Sequence, residues 1–179
     1  MAFDLIFDAA AGVGNAVNYI TSGIETGVDT AATFDTIDGP LPVLDFGDST
    51  NHGALFRSVL PESYDSTAST TVKWYWHADT ANEGSVKWEV YFMRLEDTVT
   101  DLESTTSFNL TGASQTDAAN TTAGGEFAQS CEATISHANM DSVAAGEEFY
   151  MLVVRDVDDT STDTMTGDAC LHAVKLSQA

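Results

Sequence analysis

Two runs of alternating side chains constrain this chain more than any other feature. From Thr70 to His77, Val72, Trp74 and Trp76 fall on one side, and Lys73, Tyr75 and His77 fall on the other. From Ser85 to Leu95, Val86, Trp88, Val90 and Phe92 share a side. A period of two belongs to extended chain, where successive Cβ atoms point to opposite faces. Each run is therefore a strand with one aromatic-rich face in a core. Asp79-Thr-Ala-Asn-Glu-Gly84 separates the runs, and turn residues between two alternating segments predict a β-hairpin with a longer loop.

Further runs fit the same scheme. Ala54 to Leu60 is a short apolar segment closed by Pro61, and Thr105 to Leu110 has the length of a short strand. Phe127 to His137 alternates again, with Cys131, Ala133 and Ile135 together. Glu148 to Asp156 contains Phe-Tyr-Met-Leu-Val-Val, and Ala169 to Leu176 supplies a last strand. Thr111 to Glu126 is almost wholly small and polar and reads as a mobile loop. About seven or eight strands with turns at short spacing and no convincing long helix predict an all-β fold. The expected architecture is an antiparallel β-sandwich, jelly-roll-like, with the Trp faces at the centre of its core.

The beginning of the chain is different. Its first fifty residues hold eight acids and no base, and are rich in Ala, Gly and Thr. Ala9 to Ile20 has the length of a short helix, but Gly12 and Gly14 each cost a helix interior about 0.8–1 kcal/mol relative to Ala. Gly39-Pro40-Leu41-Pro42 blocks a helix and marks a boundary. The expected division is an extended acidic N-terminal arm over 1–42 and a sandwich domain over 43–179. Such an arm orders against a neighbouring subunit or the body of its own domain.

Charge narrows the function. The chain has 28 Asp and Glu against 6 Lys and Arg, a formal net charge of −22. Such a surface repels phosphate backbones and anionic headgroups, which argues against nucleic acid and membrane as partners. The bases (Arg57, Lys73, Lys87, Arg94, Arg155 and Lys175) are dispersed and form no stripe. Adaptation to salt, solubility at high local concentration and the display of many copies on a basic partner each account for the balance. No window approaches the apolar length of a bilayer span. The N-terminus lacks the basic and apolar regions of a secretory signal, so the protein is expected to be made and used without Sec-type export. Asn109-Leu-Thr and Asn120-Thr-Thr match the glycosylation acceptor pattern, a chance match if the chain is not exported.

Candidate chemical sites are few. Asp156, Asp158, Asp159, Asp163 and Asp168 invite a calcium reading, since calcium takes several hard oxygen ligands. The segment has neither the alternate acids, nor the sixth-position Gly, nor the closing Glu of an EF-hand loop, so a solvated hairpin loop is the better expectation. His77, His137 and His172 lie in or at the ends of predicted strands, and His52 lies apart; no pair has i,i+2 or i,i+4 spacing for zinc. Cys131 and Cys170 belong to no CxxC pair and read as small apolar strand residues, with a single bridge between neighbouring strands as the alternative. No nucleophile elbow, phosphate loop, dinucleotide fingerprint or metalloprotease motif is present. No catalytic residue, cofactor or metal is expected, and the chain reads as a non-enzyme.

Several phrases resemble a β-sandwich module of tailed bacteriophages and their prophages. They are Phe46-Gly-Asp-Ser-Thr through Phe56-Arg-Ser-Val-Leu-Pro-Glu-Ser-Tyr-Asp65, Thr71-Val-Lys-Trp-Tyr-Trp76, and Val86-Lys-Trp-Glu-Val-Tyr-Phe92. Phe149-Tyr-Met-Leu-Val-Val-Arg-Asp156, Asp163-Thr-Met-Thr-Gly-Asp-Ala169 and Leu171 to Leu176 are similar to that module's ending. The resemblance spans about residues 44–177 and implies a virion structural protein. The leading expectation is a capsid decoration or cement protein, made in the host cytoplasm and placed on the capsid exterior. Its partners would be the major capsid protein and its own copies, as a homotrimer. The alternatives are a tail-fibre or receptor-binding module meeting host glycans through aromatics such as Tyr75 or Tyr91, and, more weakly, a carbohydrate-active enzyme on a sandwich fold.

Overall fold

The computed structural model describes residues 2–9, 28–36, 42–80, 83–96, 108–109, 111–120 and 127–179. Their strands are β1 (Phe3–Asp8), β2 (Thr30–Ala31), β3 (Thr33–Thr36), β4 (Pro42–Phe46), β5 (His52–Val59) and β6 (Thr70–Ala78). They continue with β7 (Ser85–Leu95), β8 (Ala113–Ala118), β9 (Gln129–Ile135), β10 (Glu148–Arg155) and β11 (Ala169–Gln178). One sheet has the order β3-β4-β11-β6-β9, with β1 also on β11; the other has the order β2-β5-β10-β7-β8. The protein is an all-β sandwich. Strands β4 to β11 alone give 4-11-6-9 facing 5-10-7-8, the strand order of a jelly roll.

Both aromatic strands form where the alternation places them, but they are not a hairpin. β6 lies in the first sheet, between β11 and β9, and β7 lies in the second, between β10 and β8. β6, which ends at Ala78, and β7, which starts at Ser85, therefore lie in different layers. Alternation says which face of a strand is buried, and a strand facing its successor across the core satisfies it as well as one beside it. Trp76 and Trp88 meet across the core, ring centroids 5.9 Å apart and near edge-on, and Phe46 stands 5.1 Å from Trp88. All three Trp side chains, with Phe56, Phe92 and Phe149, are buried in this core.

A second apolar cluster lies on the outer face of the second sheet. Leu55, Tyr91, Met93, Leu152 and Val154 pack there with Val28 and Phe108. β10 is therefore apolar on both sides: Phe149, Met151 and Val153 enter the main core, while Leu152 and Val154 face outward. This explains its continuous apolar run, the signature of a strand covered on both faces.

Thr111 to Glu126 is not a loop throughout, because β8 pairs with β7 from Ala118 opposite Ser85 to Ala113 opposite Val90. Its small polar side chains hide the strand from a hydrophobic pattern. Phe108 and Asn109, from the expected strand at 105–110, are described and are not in a strand; the rest of that segment lies outside the described residues. So does the expected helix, apart from Ala9.

The described parts of the N-terminal segment order against the body of their own domain. β1 pairs antiparallel with β11 from Phe3 opposite Gln178 to Asp8 opposite Ala173. Phe3 and Phe7 enter the main core, where Phe7 lies 5.8 Å from Phe56 and 6.2 Å from Phe149. β2 joins the second sheet parallel to β5, and β3 joins the first sheet antiparallel to β4. The chain changes layer at buried Ala32, whose N–H donates to the Gly53 carbonyl at 2.9 Å.

Candidate functional site

The acids singled out in the sequence collect at one end of the sandwich. There the connections 47–51 and 156–168, with Asp79 and Gly84, meet the segment leading into β2. Asn51, fully buried, joins them: its carbonyl accepts from the Asp29 and Thr30 N–H groups, its Oδ1 from Val157 N–H at 2.8 Å, and its Nδ2 donates to Asp158. Gly84 adopts φ of 125°, and a Cβ there would come within 2.7 Å of the Met165 backbone, so this turn needs glycine.

Two cations hold the acidic connection from within. Arg155 is fully buried; Nε and Nη2 donate to Asp163 at 3.0 and 2.9 Å. Its remaining donors reach the carbonyls of Phe46, Gly167 and Met165 at 2.9, 2.7 and 2.6 Å. Lys87 Nζ lies 2.6 Å from Asp156, 3.0 Å from Glu89 and 3.1 Å from Asp159. Burial pulls this ammonium's pKa down, but the hydrogen bonds to Asp156 and Glu89 outweigh burial and hold it above the ordinary lysine value. Burial raises the Asp156 carboxyl, and Lys87 partly offsets that.

Asp156, Asp159 and Asp163 thus spend their charge on Lys87 and Arg155, Asp158 accepts from Asn51, and the Asp168 carbonyl accepts from the Asp79 N–H. The loop is a folded, cross-braced connection, where the sequence suggested a solvated one. Among the described residues no group of three or more His, Cys, Asp or Glu is arranged to hold a metal ion.

The histidines divide between locations. His77 Nδ1 and His172 Nε2 approach to 2.7 Å on the outer face of the first sheet. His137 is elsewhere, with Nδ1 3.0 Å from the Tyr64 hydroxyl. His52 opens β5, and burial lowers its pKa. The two cysteines are free. Cys131 stands opposite Trp74 and Cys170 opposite His77, so β6 runs between them and they point to opposite faces; no bridge forms. Burial pushes the Cys131 thiol up to about 12 and raises Cys170 as well. The nearby carboxylates, Asp117 beside Cys131 and Asp45 beside Cys170, raise them further.

The two aromatics named for glycan contact differ in exposure. Tyr91 is buried and its hydroxyl donates to Glu89 at 2.5 Å. Tyr75 is half-buried, with the Lys73 ammonium 5.5 Å from its ring centroid. Asn109, in one of the two acceptor patterns, is half-buried; it donates to the Ala138 carbonyl at 3.0 Å and accepts from Thr111 N–H at 2.9 Å.

One property needed the structure. All 6 Lys and Arg residues of the chain are ion-paired with its own acids. Besides Lys87 and Arg155, the pairs are Arg57–Glu148, Lys73–Glu132, Arg94 with Glu96 and Glu147, and Lys175–Asp4. The described residues expose an excess of carboxylates over bases, with Arg57 the most exposed base, and the large apolar side chains Ile6, Phe34, Val59 and Phe127.

No protein-family model matches the chain, and no curated protein does. Among solved structures it is similar to CBM27-1 of Caldicellulosiruptor saccharolyticus in complex with mannohexaose, at 8% identity and a TM-score of 0.37, covering 97% of this chain and 96% of that one. It is also similar to a non-crystalline cellulose specific carbohydrate-binding module, CBM28, at 13% identity and a TM-score of 0.36, covering 95% of this chain and 91% of that one. At such low identity and superposition no ligand follows for this chain.

Proposed function

We propose that the chain is a virion structural protein of a tailed bacteriophage, a capsid decoration or cement protein that works by contact and not by catalysis. It binds the outer surface of the head and stabilises it through contacts between subunits, with the major capsid protein and further copies of itself as partners. The observation that supports this reading is the complete internal pairing of the six bases. A chain so arranged offers other molecules chiefly negative charge and apolar side chains. It suits a basic protein surface, repels nucleic acid, and keeps decorated particles from sticking to one another. The phrases from Phe46 to Asp65 and from Phe149 to Leu176, which resemble a phage sandwich module, point the same way.

Antibody-gold labelling of intact particles from the source virus tests the proposal. Label spread over the head is the expected result. Label confined to the tail tip overturns it and favours a receptor-binding module.

A further inference from the structure

We infer that His77 and His172 form a one-proton latch that ties a bulge in β11 to the neighbouring strand β6 and releases it when the pair takes up a second proton. The register between the strands runs Leu171 opposite Trp76 and then Ala173 opposite Tyr75, so His172 is the extra residue of a bulge. The bulge turns His172 to the outer face, where its Nε2 lies 2.7 Å from His77 Nδ1, with ring centroids 4.9 Å apart and planes at 68°.

At that distance one ring donates and the other accepts. A neutral pair satisfies this, and so does a pair carrying one added proton. Two imidazoliums bring N–H against N–H, and the pair must open. His77 is 5% exposed, so a second charge would sit where water has little access. Burial and the neighbouring His77 also lower the His172 pKa. Protons therefore enter the pair in coupled steps that belong to both rings.

The surrounding charged and titratable groups come from several elements. β6 contributes Tyr75 and, just beyond its end, Asp79; β11 contributes Cys170 and Lys175; β4 contributes Asp45, opposite Cys170; β1 contributes Asp8, opposite Ala173; and the preceding connection contributes Asp168. None of these groups relieves the N–H against N–H clash that a second proton brings.

The latch sits at a seam. On its other edge β11 pairs with β4 through Ala169–Leu171 and with β1 from Ala173 onward. His172 is where the partner changes, so opening the pair loosens β11 at the last ladder position of β1.

The test is an imidazole NMR titration of the full chain from pH 8 to 5, with thermal midpoints for wild type and for the variant His77→Gln/His172→Gln, whose amides donate and accept without titrating. The expected result is two coupled steps shared by both rings, with the cross-strand Overhauser effects between β1 and β11 fading in the second. The wild-type midpoint should also fall by about 3–8 °C more than the variant's over that range. Independent titration of the two rings at ordinary histidine values with β1–β11 intact overturns the inference. So does an identical pH profile for wild type and variant. If the variant does not fold, the wild-type titration decides alone.

Discussion

Arg155 and Asp163 face each other in a two-point ion pair closed to solvent, with side-chain exposures of 0% and 3%. Three backbone carbonyls complete the guanidinium's partners, from Phe46 on one strand and from Met165 and Gly167 in the acidic connection, so a single side chain fixes the end of the sandwich. Arg155→Met should lower stability by about 3–5 kcal/mol, because Asp163 is left as a buried, uncompensated charge. Arg155→Lys should recover little of this, since one ammonium cannot reproduce a planar fork with five donors. Urea unfolding followed by Trp fluorescence measures both variants. A loss under about 1 kcal/mol for either would show that the loop does not depend on this pair, since breaking a buried pair costs more than that.

The cysteine thiols should be silent in the folded protein. Cys131 is raised to about 12 by burial, and Cys170 is also raised, while the reactive species is the thiolate. Both side chains are free and buried, so unfolding alone should expose them. At pH 8 a thiol-specific chromogenic reagent should label neither residue in buffer and both in concentrated guanidinium. Fast labelling of either without denaturant would contradict the packing around it.

How much of this was legible in the sequence depends on what carried each feature. The faces of β6 and β7 are written in Val72, Trp74, Trp76 and in Val86, Trp88, Val90, Phe92, because burial selects side chains one by one. Their assignment to opposite sheets is not written locally. It depends on β11 and β10, which lie far along the chain, and strand patterns leave such long-range pairing open. β8 escaped because Ala113-Ser-Gln-Thr-Asp-Ala118 pairs through its backbone at a sheet edge with no large apolar side chain. Among the candidate sites, the carboxylates after Arg155 were visible as a cluster, but their neutralisation needed Lys87, brought beside Asp156 only by the β10–β7 pairing. The meeting of His77 and His172 likewise follows from the β6–β11 register and a bulge that no spacing rule announces.

Phe7→Ala tests whether the first strand belongs to the fold. Its ring packs edge-on against Phe56 and Phe149 of the opposite sheet, so truncation opens a cavity in the main core. The expected cost is about 3–5 kcal/mol. Ile6→Ala, on the exposed face of the same strand, should cost no more than about 0.5 kcal/mol. Equal effects at both positions would mean that β1 does not hold this register in solution.

Lys87→Met separates internal neutralisation from metal binding at the acidic connection. The ammonium faces Asp156, Glu89 and Asp159, and its raised pKa means that its stabilising effect is complete below the ordinary lysine value and lost only above it, in strong alkali. Removing it leaves three carboxylates together and should cost about 3 kcal/mol at neutral pH. Asp156, already raised by burial, should then rise further. A carboxyl whose folded pKa exceeds its unfolded one binds protons more readily in the native state, so stability grows as pH falls toward the unfolded value. The variant should therefore regain stability between pH 7 and 5, measured against wild type by urea unfolding at each pH. Millimolar calcium chloride should raise the variant's thermal midpoint, by standing in for the missing charge, and leave wild type unchanged. A calcium-dependent rise in wild type would mean that the carboxylates around Asp156 hold a metal ion in addition to Lys87.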